Sequence, residues 1–519
     1  MNGARNNPLR RFRRGALAGL LSSLIGSVDQ LVLVPLFLFA WSPELYGEWL
    51  TLCAVAAYVV FADLGLSSYV VNRLTQEHAQ EAREEFLRTL HSALAFTLTV
   101  SAALLVAAVA AALVLPLDAL LGIELLDSTG LLVTLIALQF VLSLPRGLVL
   151  GVYRAVGEYD RGAMLANVRR VASCAITALL LAVGATPLVV AAGLILPLIA
   201  VLAFALVDLG RRHAWLRFGV GERVPGLART FLRPSVLFLG VQLSLVLVHQ
   251  GSTIAVGALF GAGAVAAFAT TRTLANLVRQ LTGTLSNALW PELTRLAAQG
   301  RRETLQEVHG VFVKGLTALA LTAALFLSEA GPALYGAWTR DALELDPLLF
   351  GGFLCLMVAQ TPWTSSSYLL LATNRHEELA RRQLLAAVAA LTLGVSLSAW
   401  FGPRGLVLGI LCAELTLCAV QVPRNALALT GGRLGPYLVS VYGRGALVAA
   451  LAWGALRTIA PLEHLDPAAG ALATALSCPL VVGSLGWLLW LSPRERVRVT
   501  SLLRGFLRPM SATPRGSAS

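Results

Sequence analysis

Apolar residues in this chain gather into long runs instead of alternating or recurring every third or fourth position. Each run is about 20 residues, the helix length that crosses ~30 Å of hydrocarbon. The runs lie near 15–40, 45–71, 91–115, 129–151, 163–184, 187–209, 234–258, 262–290, 311–334, 347–372, 379–401, 404–423, 437–459 and 467–491. The pattern predicts an all-α polytopic membrane protein with about fourteen transmembrane helices. The first run follows Arg10-Arg11-Phe12-Arg13-Arg14. It exceeds the roughly 7–15 residues of a signal-peptide core, so it reads as an uncleaved first span.

The polar stretches between runs sort by charge. One alternate set carries Arg73, Arg83, Arg88, Arg154, Arg211, Arg212, Arg301, Arg302, Arg424 and Arg433, and the tail adds Arg494, Arg496 and Arg498. The other set holds Glu44, Asp118, Glu124, Asp341, Glu344 and Asp466, with Arg340 and Arg404 against them. The arginine-rich side is expected in the cytoplasm, with both termini there, in a bacterial inner membrane. Loops on the other side stay within about 15 residues, too short for an outward catalytic domain, so no enzyme activity is expected.

An internal repeat emerges at an offset of about 220 residues. Arg83-x-Glu85-x-Leu87-x-x-x-His91 returns as Arg301-x-Glu303-x-Leu305-x-x-x-His309. Arg73-Leu74 returns as Arg295-Leu296, Pro145 as Pro362, and Asp29-Gln30 falls opposite His249-Gln250. Six spans separate the copies, so both share one orientation. The expected organisation is a six-helix bundle over 1–215, a second over 216–430, two extra helices over 431–495 and a cytoplasmic tail over 496–519, the bundles related by an axis along the membrane normal.

Composition agrees. The chain is 57% hydrophobic and 13% charged, too little charge to coat a soluble globule of 519 residues. Its net charge of +12 is dealt out between the runs, not collected on one face, which argues against nucleic acid. Lys314 is the only lysine, and the six cysteines all lie inside apolar runs with no CxxC spacing. They read as small hydrophobes, and neither metal nor cofactor is expected.

Polar residues inside the runs are the candidates for chemistry, because an arginine at a bilayer centre costs roughly 2.5–3.5 kcal/mol on insertion scales. Arg272 and Arg279 are two turns apart on one face of the eighth span, with Asn276 between them. They read either as a cationic track for a phosphate-bearing head group or as ion pairs locking helices together. Gln242, His249 and Thr253 make a similar face on the seventh span; His249 is a core histidine or a proton site. On the first span Ser22, Gly26 and Asp29 share a stripe, and Asp29 is a partner for an arginine or an ion-coupling carboxylate. Asp63 at the end of the second span and Glu414 mid-span are further ion-coupling candidates, Asp63 with a structural role as its alternative. Arg146 is expected to snorkel to the interface, and Trp41, Trp49 and Trp338 to anchor there. The charged segments 72–90 and 291–310 read as solvated helices between spans.

Some of these residues resemble a known family. Ser42-Pro43-Glu44-Leu45-Tyr46-Gly47-Glu48-Trp49, with Asp63-Leu64-Gly65-Leu66 closing the second span, looks like the start of polysaccharide biosynthesis flippases. Thr271-Arg272-Thr273-Leu274 followed by Pro291-Glu292-Leu293-Thr294-Arg295-Leu296 resembles their second half. These flippases belong to the multidrug/oligosaccharidyl-lipid/polysaccharide exporter superfamily. The resemblance implies a central cavity, alternating access, and a lipid-pyrophosphate-linked oligosaccharide as cargo, with membrane lipids and polysaccharide polymerase machinery as partners. It implies that Arg272 and Arg279 meet the anionic head group. A peptidoglycan-precursor flippase and a cation-coupled drug antiporter share the fold and stay open, as does a membrane-embedded polymerase or ligase from another class.

Overall fold

The computed structural model describes residues 8–58, 66–373, 375–459, 467–497 and 499–500. Helices follow one another in chain order: α1 (Pro8–Ala40), α2 (Pro43–Ala56), α3 (Leu66–Ala79), α4 (Arg83–Val114), α5 (Leu117–Leu121), α6 (Thr129–Ala155), α7 (Tyr159–Ala182), α8 (Pro187–Gly193), α9 (Ile195–Arg212) and α10 (Leu227–Phe260). They continue with α11 (Ala262–Ala298), α12 (Arg302–Thr339), α13 (Pro347–Ala372), α14 (His376–Phe401), α15 (Arg404–Leu417), α16 (Gln421–Thr430), α17 (Leu434–Leu438), α18 (Arg444–Ile459) and α19 (Pro467–Leu485). No strand forms among the described residues. In hydrocarbon a helix satisfies its own backbone, so long apolar runs have no cheaper alternative.

Twelve helices among the described residues are long and apolar enough to cross a membrane, and the chain is a multi-pass membrane protein. The fourteen spans expected from the sequence are not reached. The run 45–71 passes through residues outside the described set. The run 262–290 forms as part of α11, but its arginines and amides hold its hydropathy down. Large apolar side chains such as Leu113, 81% exposed, line the outside as a hydrocarbon-facing surface should.

The chain divides into two compact units. The first holds residues 1–288, 332–356 and 375–418. One core joins Leu66 and Leu74 of α3, Phe86 and Leu90 of α4, Leu148 and Tyr153 of α6 and Leu209 of α9. The motif at 42–49 is the keystone of one end of this unit. Ser42 caps α2 by accepting the Leu45 N–H at 3.2 Å, and Pro43 opens the helix. Glu48, 3% exposed, accepts the backbone N–H groups of Glu124, Leu125 and Leu126 at 2.8–3.0 Å, holding the loop after α5. A Cβ on Gly47 would sit 1.8 Å from the Ala262 carbonyl oxygen, so only glycine allows this approach. Trp41 and Trp49 are not interface anchors: both are buried in a cluster with Phe37 and Tyr46, the Phe37–Trp41 centroids 4.9 Å apart. Trp338 is likewise engaged, its Nε1 donating to the Leu31 carbonyl at 2.7 Å.

The second unit holds residues 289–331, 357–374 and 419–519. There α18 and α19 pack on α12 through Leu321, Leu325, Val448, Ala452, Cys478 and Val482. Below this core the buried Lys314 bonds both oxygens of Glu495 at 2.8 and 2.9 Å.

The repeated histidines are buried fasteners. His91 shares a 2.7 Å hydrogen bond with the Arg217 carbonyl through Nε2 and accepts the Glu222 N–H at Nδ1, clipping the loop after α9. His309 in the second unit bonds Ser366, which bonds Tyr437. The repeated prolines Pro145 and Pro362 both lie inside helices, α6 and α13.

Candidate functional site

The polar groups of the first unit's membrane helices gather on α1, α6, α7, α10, α11 and α15. On α11, Arg272 is committed to its neighbour. One Nη donates to the His249 carbonyl at 2.7 Å and to Ser252 Oγ at 3.0 Å, the other to Thr253 Oγ1 at 2.9 Å. Both hydroxyls spend their own protons on the same His249 carbonyl. The guanidinium also lies over the Phe268 ring, 5.4 Å from its centroid. Arg272 therefore ties α11 to α10, the locking role the sequence left open beside the cationic track.

Two turns on, Arg279 differs. Its Nε donates to Asn276 Oδ1 at 3.1 Å, and Glu414 on α15 stands within electrostatic reach. The side chain is exposed. A polar ladder joins the same helix to α1: Ser23 to Thr284 at 2.6 Å, Ser27 to Gln280 at 3.5 Å, and Gln280 to Gln30 at 3.0 Å.

A second cationic cluster was not singled out from the sequence. Arg169 and Arg170 on α7 and Arg146 on α6 stand together, Arg146 within electrostatic reach of Arg169. Arg170 donates to the Ser22 carbonyl on α1 at 3.1 Å. Gly26 leaves room for it: a Cβ there would fall 2.6 Å from Arg170 Nη1. The Nε atoms of Arg146 and Arg169 are shut off from solvent with no acceptor. Arg146, expected to snorkel, instead faces another arginine. Asp29 feels both Arg169 and Arg170 and is hydrogen-bonded to Cys174. The signal was present in the sequence, since two adjacent arginines lie inside the run 163–184.

The remaining candidates are spread. His249 is partly buried, and its Nδ1 is shielded without a partner. Gln242 is on α10 with its side chain outside the described residues, and Asp63 lies outside them altogether. Among the described residues, arginine thus outnumbers carboxylate in these two clusters: Arg146, Arg169, Arg170, Arg272 and Arg279 against Asp29 and Glu414. Such a set suits an anion whose oxygens accept several N–H bonds at once. It suits a cationic cargo poorly. Among the described residues no group of three or more His, Cys, Asp or Glu side chains is placed to hold a metal.

Comparison with known proteins adds to this geometry. The model of a family described as polysaccharide biosynthesis protein matches residues 12–297. Among solved structures, the lipid II flippase MurJ in an inward closed conformation superposes with a TM-score of 0.67 at 12% identity, covering 93% of this chain and 99% of that one. A multidrug resistance MATE family transporter of the MOP superfamily, inward-facing, gives 0.65 at 14% identity over 80% and 98% of the two chains. A MOP superfamily transporter from Pyrococcus furiosus, described as having a binding pocket of reverse polarity, gives 0.57 at 11% identity over 82% and 97%. No curated protein sequence matches. At these identities the shared property is the fold, that of the MOP-superfamily transporters.

Proposed function

The chain belongs to the polysaccharide biosynthesis protein family, and from that premise we propose that it is a flippase for a lipid-pyrophosphate-linked oligosaccharide. It works by alternating access in a bacterial inner membrane, with its arginine-rich loops in the cytoplasm, and serves O-antigen, capsule or exopolysaccharide synthesis. The observation that carries the reading is the polarity of the deep site. Arginines stranded in hydrocarbon cost several kcal/mol, and leaving guanidinium nitrogens without acceptors adds to that cost. Arg146 and Arg169 keep unpartnered Nε atoms inside the first unit, and Arg279 stays open to solvent. A pyrophosphate offers several acceptor oxygens to such guanidinium groups at once. A cation antiporter would need the opposite balance.

The chemistry divides among this chain's own residues. Arg279 and Asn276 meet the head group, Arg146 and Arg169 offer it further donors, and Arg170 and Arg272 hold α1 and α10 in place. The hydrophobic carrier stays in lipid while the polar part moves. A peptidoglycan-precursor flippase is the second reading. It rests on the larger share of this chain, 93%, that the MurJ structure covers.

The test is translocation by the purified full-length protein in proteoliposomes. A fluorescent lipid-linked oligosaccharide should become inaccessible to an outside modifying enzyme over time, and Arg169→Ala or Arg279→Ala should slow this by about tenfold or more, the worth of one charge-assisted contact. Transport of lipid II with no transport of polysaccharide precursors would select the second reading. Uptake of organic cations with no lipid translocation would overturn both.

A further inference from the structure

A cavity of about 660 Å³ opens between α3 and the start of α4, away from the arginine cluster. Its walls are Tyr69, Asn72, Arg73, Gln76, Glu77, Gln80, Ala82 and Glu85. The sequence alone read this segment as a merely solvated connection. Asn72, Gln76 and Gln80 follow at four-residue spacing, which places three carboxamides along one stripe. Gln76 and Gln80 are exposed. Asn72 Oδ1 is occupied by Arg154, which leaves its amide N–H bonds to donate. Beneath them Glu77 is 7% exposed. Its Oε1 takes both Arg73 Nε and Thr89 Oγ1 at 2.8 Å, and its Oε2 has no donor at all. A buried carboxylate oxygen without a partner is costly and waits for an N–H or O–H.

From these groups we infer a binding subsite for a neutral sugar on the arginine-rich face of the first unit. A carboxamide donates and accepts in equal measure, and so does a hydroxyl; the two match in pairs along the stripe. The Tyr69 ring adds an apolar face for the C–H side of a pyranose. Phosphate fits badly, because two carboxylates, Glu77 and Glu85, line the opening, and Arg73 and Arg154 are already engaged with Glu77 and Asn72. The volume is that of an ordinary small-molecule pocket. The inference rests on the flippase reading for its cargo. It adds that the leading sugars are read at this site, on the face from which loading starts, separately from the pyrophosphate.

The experiment uses the full-length protein in nanodiscs and two probes: the oligosaccharide released from its carrier by mild acid, and undecaprenyl pyrophosphate without sugar. Saturation-transfer NMR reports contact with the free oligosaccharide. Gln76→Ala combined with Gln80→Ala removes two exposed side chains, so the fold should stand. The expected result is a loss of sugar affinity of about tenfold, with binding of the sugar-free pyrophosphate unchanged. Glu77→Gln, which converts the waiting acceptor into an amide, should change which sugars bind more than it changes the pyrophosphate. Equal sugar binding by wild type and the double variant overturns the subsite. So does an equal loss for both probes, which would mark general damage. Failure of the protein to translocate any lipid-linked oligosaccharide would strike the flippase reading alone, since binding of the released sugar is measured without transport.

Discussion

Removing the Glu48 carboxylate should destabilise the protein without touching its cargo site. Three backbone N–H groups, at 124, 125 and 126, converge on it. Hydrogen bonds to a charged group are worth about 1.5–3 kcal/mol each, which sets a gross ceiling of several kcal/mol. Glu124 and Leu125 are exposed and can turn their N–H groups to water, but Leu126 is buried and cannot. One stranded N–H costs about 1–3 kcal/mol, and two partly relieved ones add less, so Glu48→Ala should lose about 2–4 kcal/mol. Glu48→Gln keeps one acceptor oxygen but turns an NH2 toward the same donors, and should lose about half as much. The assay is thermal or denaturant unfolding of the detergent-solubilised protein, with Glu44→Ala, exposed on the same helix, as a control within about 0.5 kcal/mol. Transport per folded molecule should survive in Glu48→Gln. If Glu48→Ala unfolds with the wild type, the keystone account of the motif is wrong. If Glu48→Gln keeps full stability but stops transport, the residue belongs to the cargo path instead.

Other changes sort the remaining roles. Arg272→Ala loses three hydrogen bonds to α10 and should lower the folded yield in the membrane. Arg279→Ala should leave the yield intact and slow translocation, and equal effects of the two on yield would contradict the division. Gly26→Ala should displace the Arg170 guanidinium from the Ser22 carbonyl, cutting transport more than expression; a fully active G26A protein would show that this contact is dispensable. Acid should loosen the segment after α19. Burial pushes the Glu495 carboxyl up, but hydrogen bonds from Lys314 and the Ser492 N–H outweigh it and hold the group below its ordinary value. A depressed carboxyl stabilises fully above the unfolded value of about 4.3, and loses that contribution as pH falls further through the folded value. Unfolding midpoints measured from pH 6 downward, in approximate one-unit steps, should therefore converge for wild type and Glu495→Gln; parallel curves would refute it.

Much of the fold was legible because hydrocarbon leaves a chain few choices. Runs of the right length had to become helices, and the charge alternation between them followed. The count was less secure where polarity entered a span. α11 carries Arg272, Asn276 and Arg279 through its middle, so a measure of apolarity passes over it although the helix is continuous. The tryptophans misled for a related reason. An indole near the end of a run looks the same in sequence whether it faces the interface or a neighbouring helix, and Trp41 and Trp49 chose Phe37 and Tyr46. The family-like motif was legible as a string and silent about its work. Nothing in Tyr46-Gly47-Glu48-Trp49 says that the carboxylate would hold a loop seventy-odd positions away.

The sharpest limit lies on α11 itself. Periodicity put Arg272 and Arg279 on one face, and that is correct as geometry, but a face two turns long can meet two environments. At the first turn stand Ser252 and Thr253, whose hydroxyls and the His249 carbonyl give the guanidinium three acceptors. At the second stands Asn276, with Glu414 in electrostatic reach and the guanidinium exposed. Which arginine is free is decided by what α10 offers at each level, a property of the facing helix that no spacing within α11 can encode. The same logic found Arg146 and Arg169. They matter because the helices around them supply their Nε atoms no acceptor, and an acceptor's absence is visible only once the neighbours are in place.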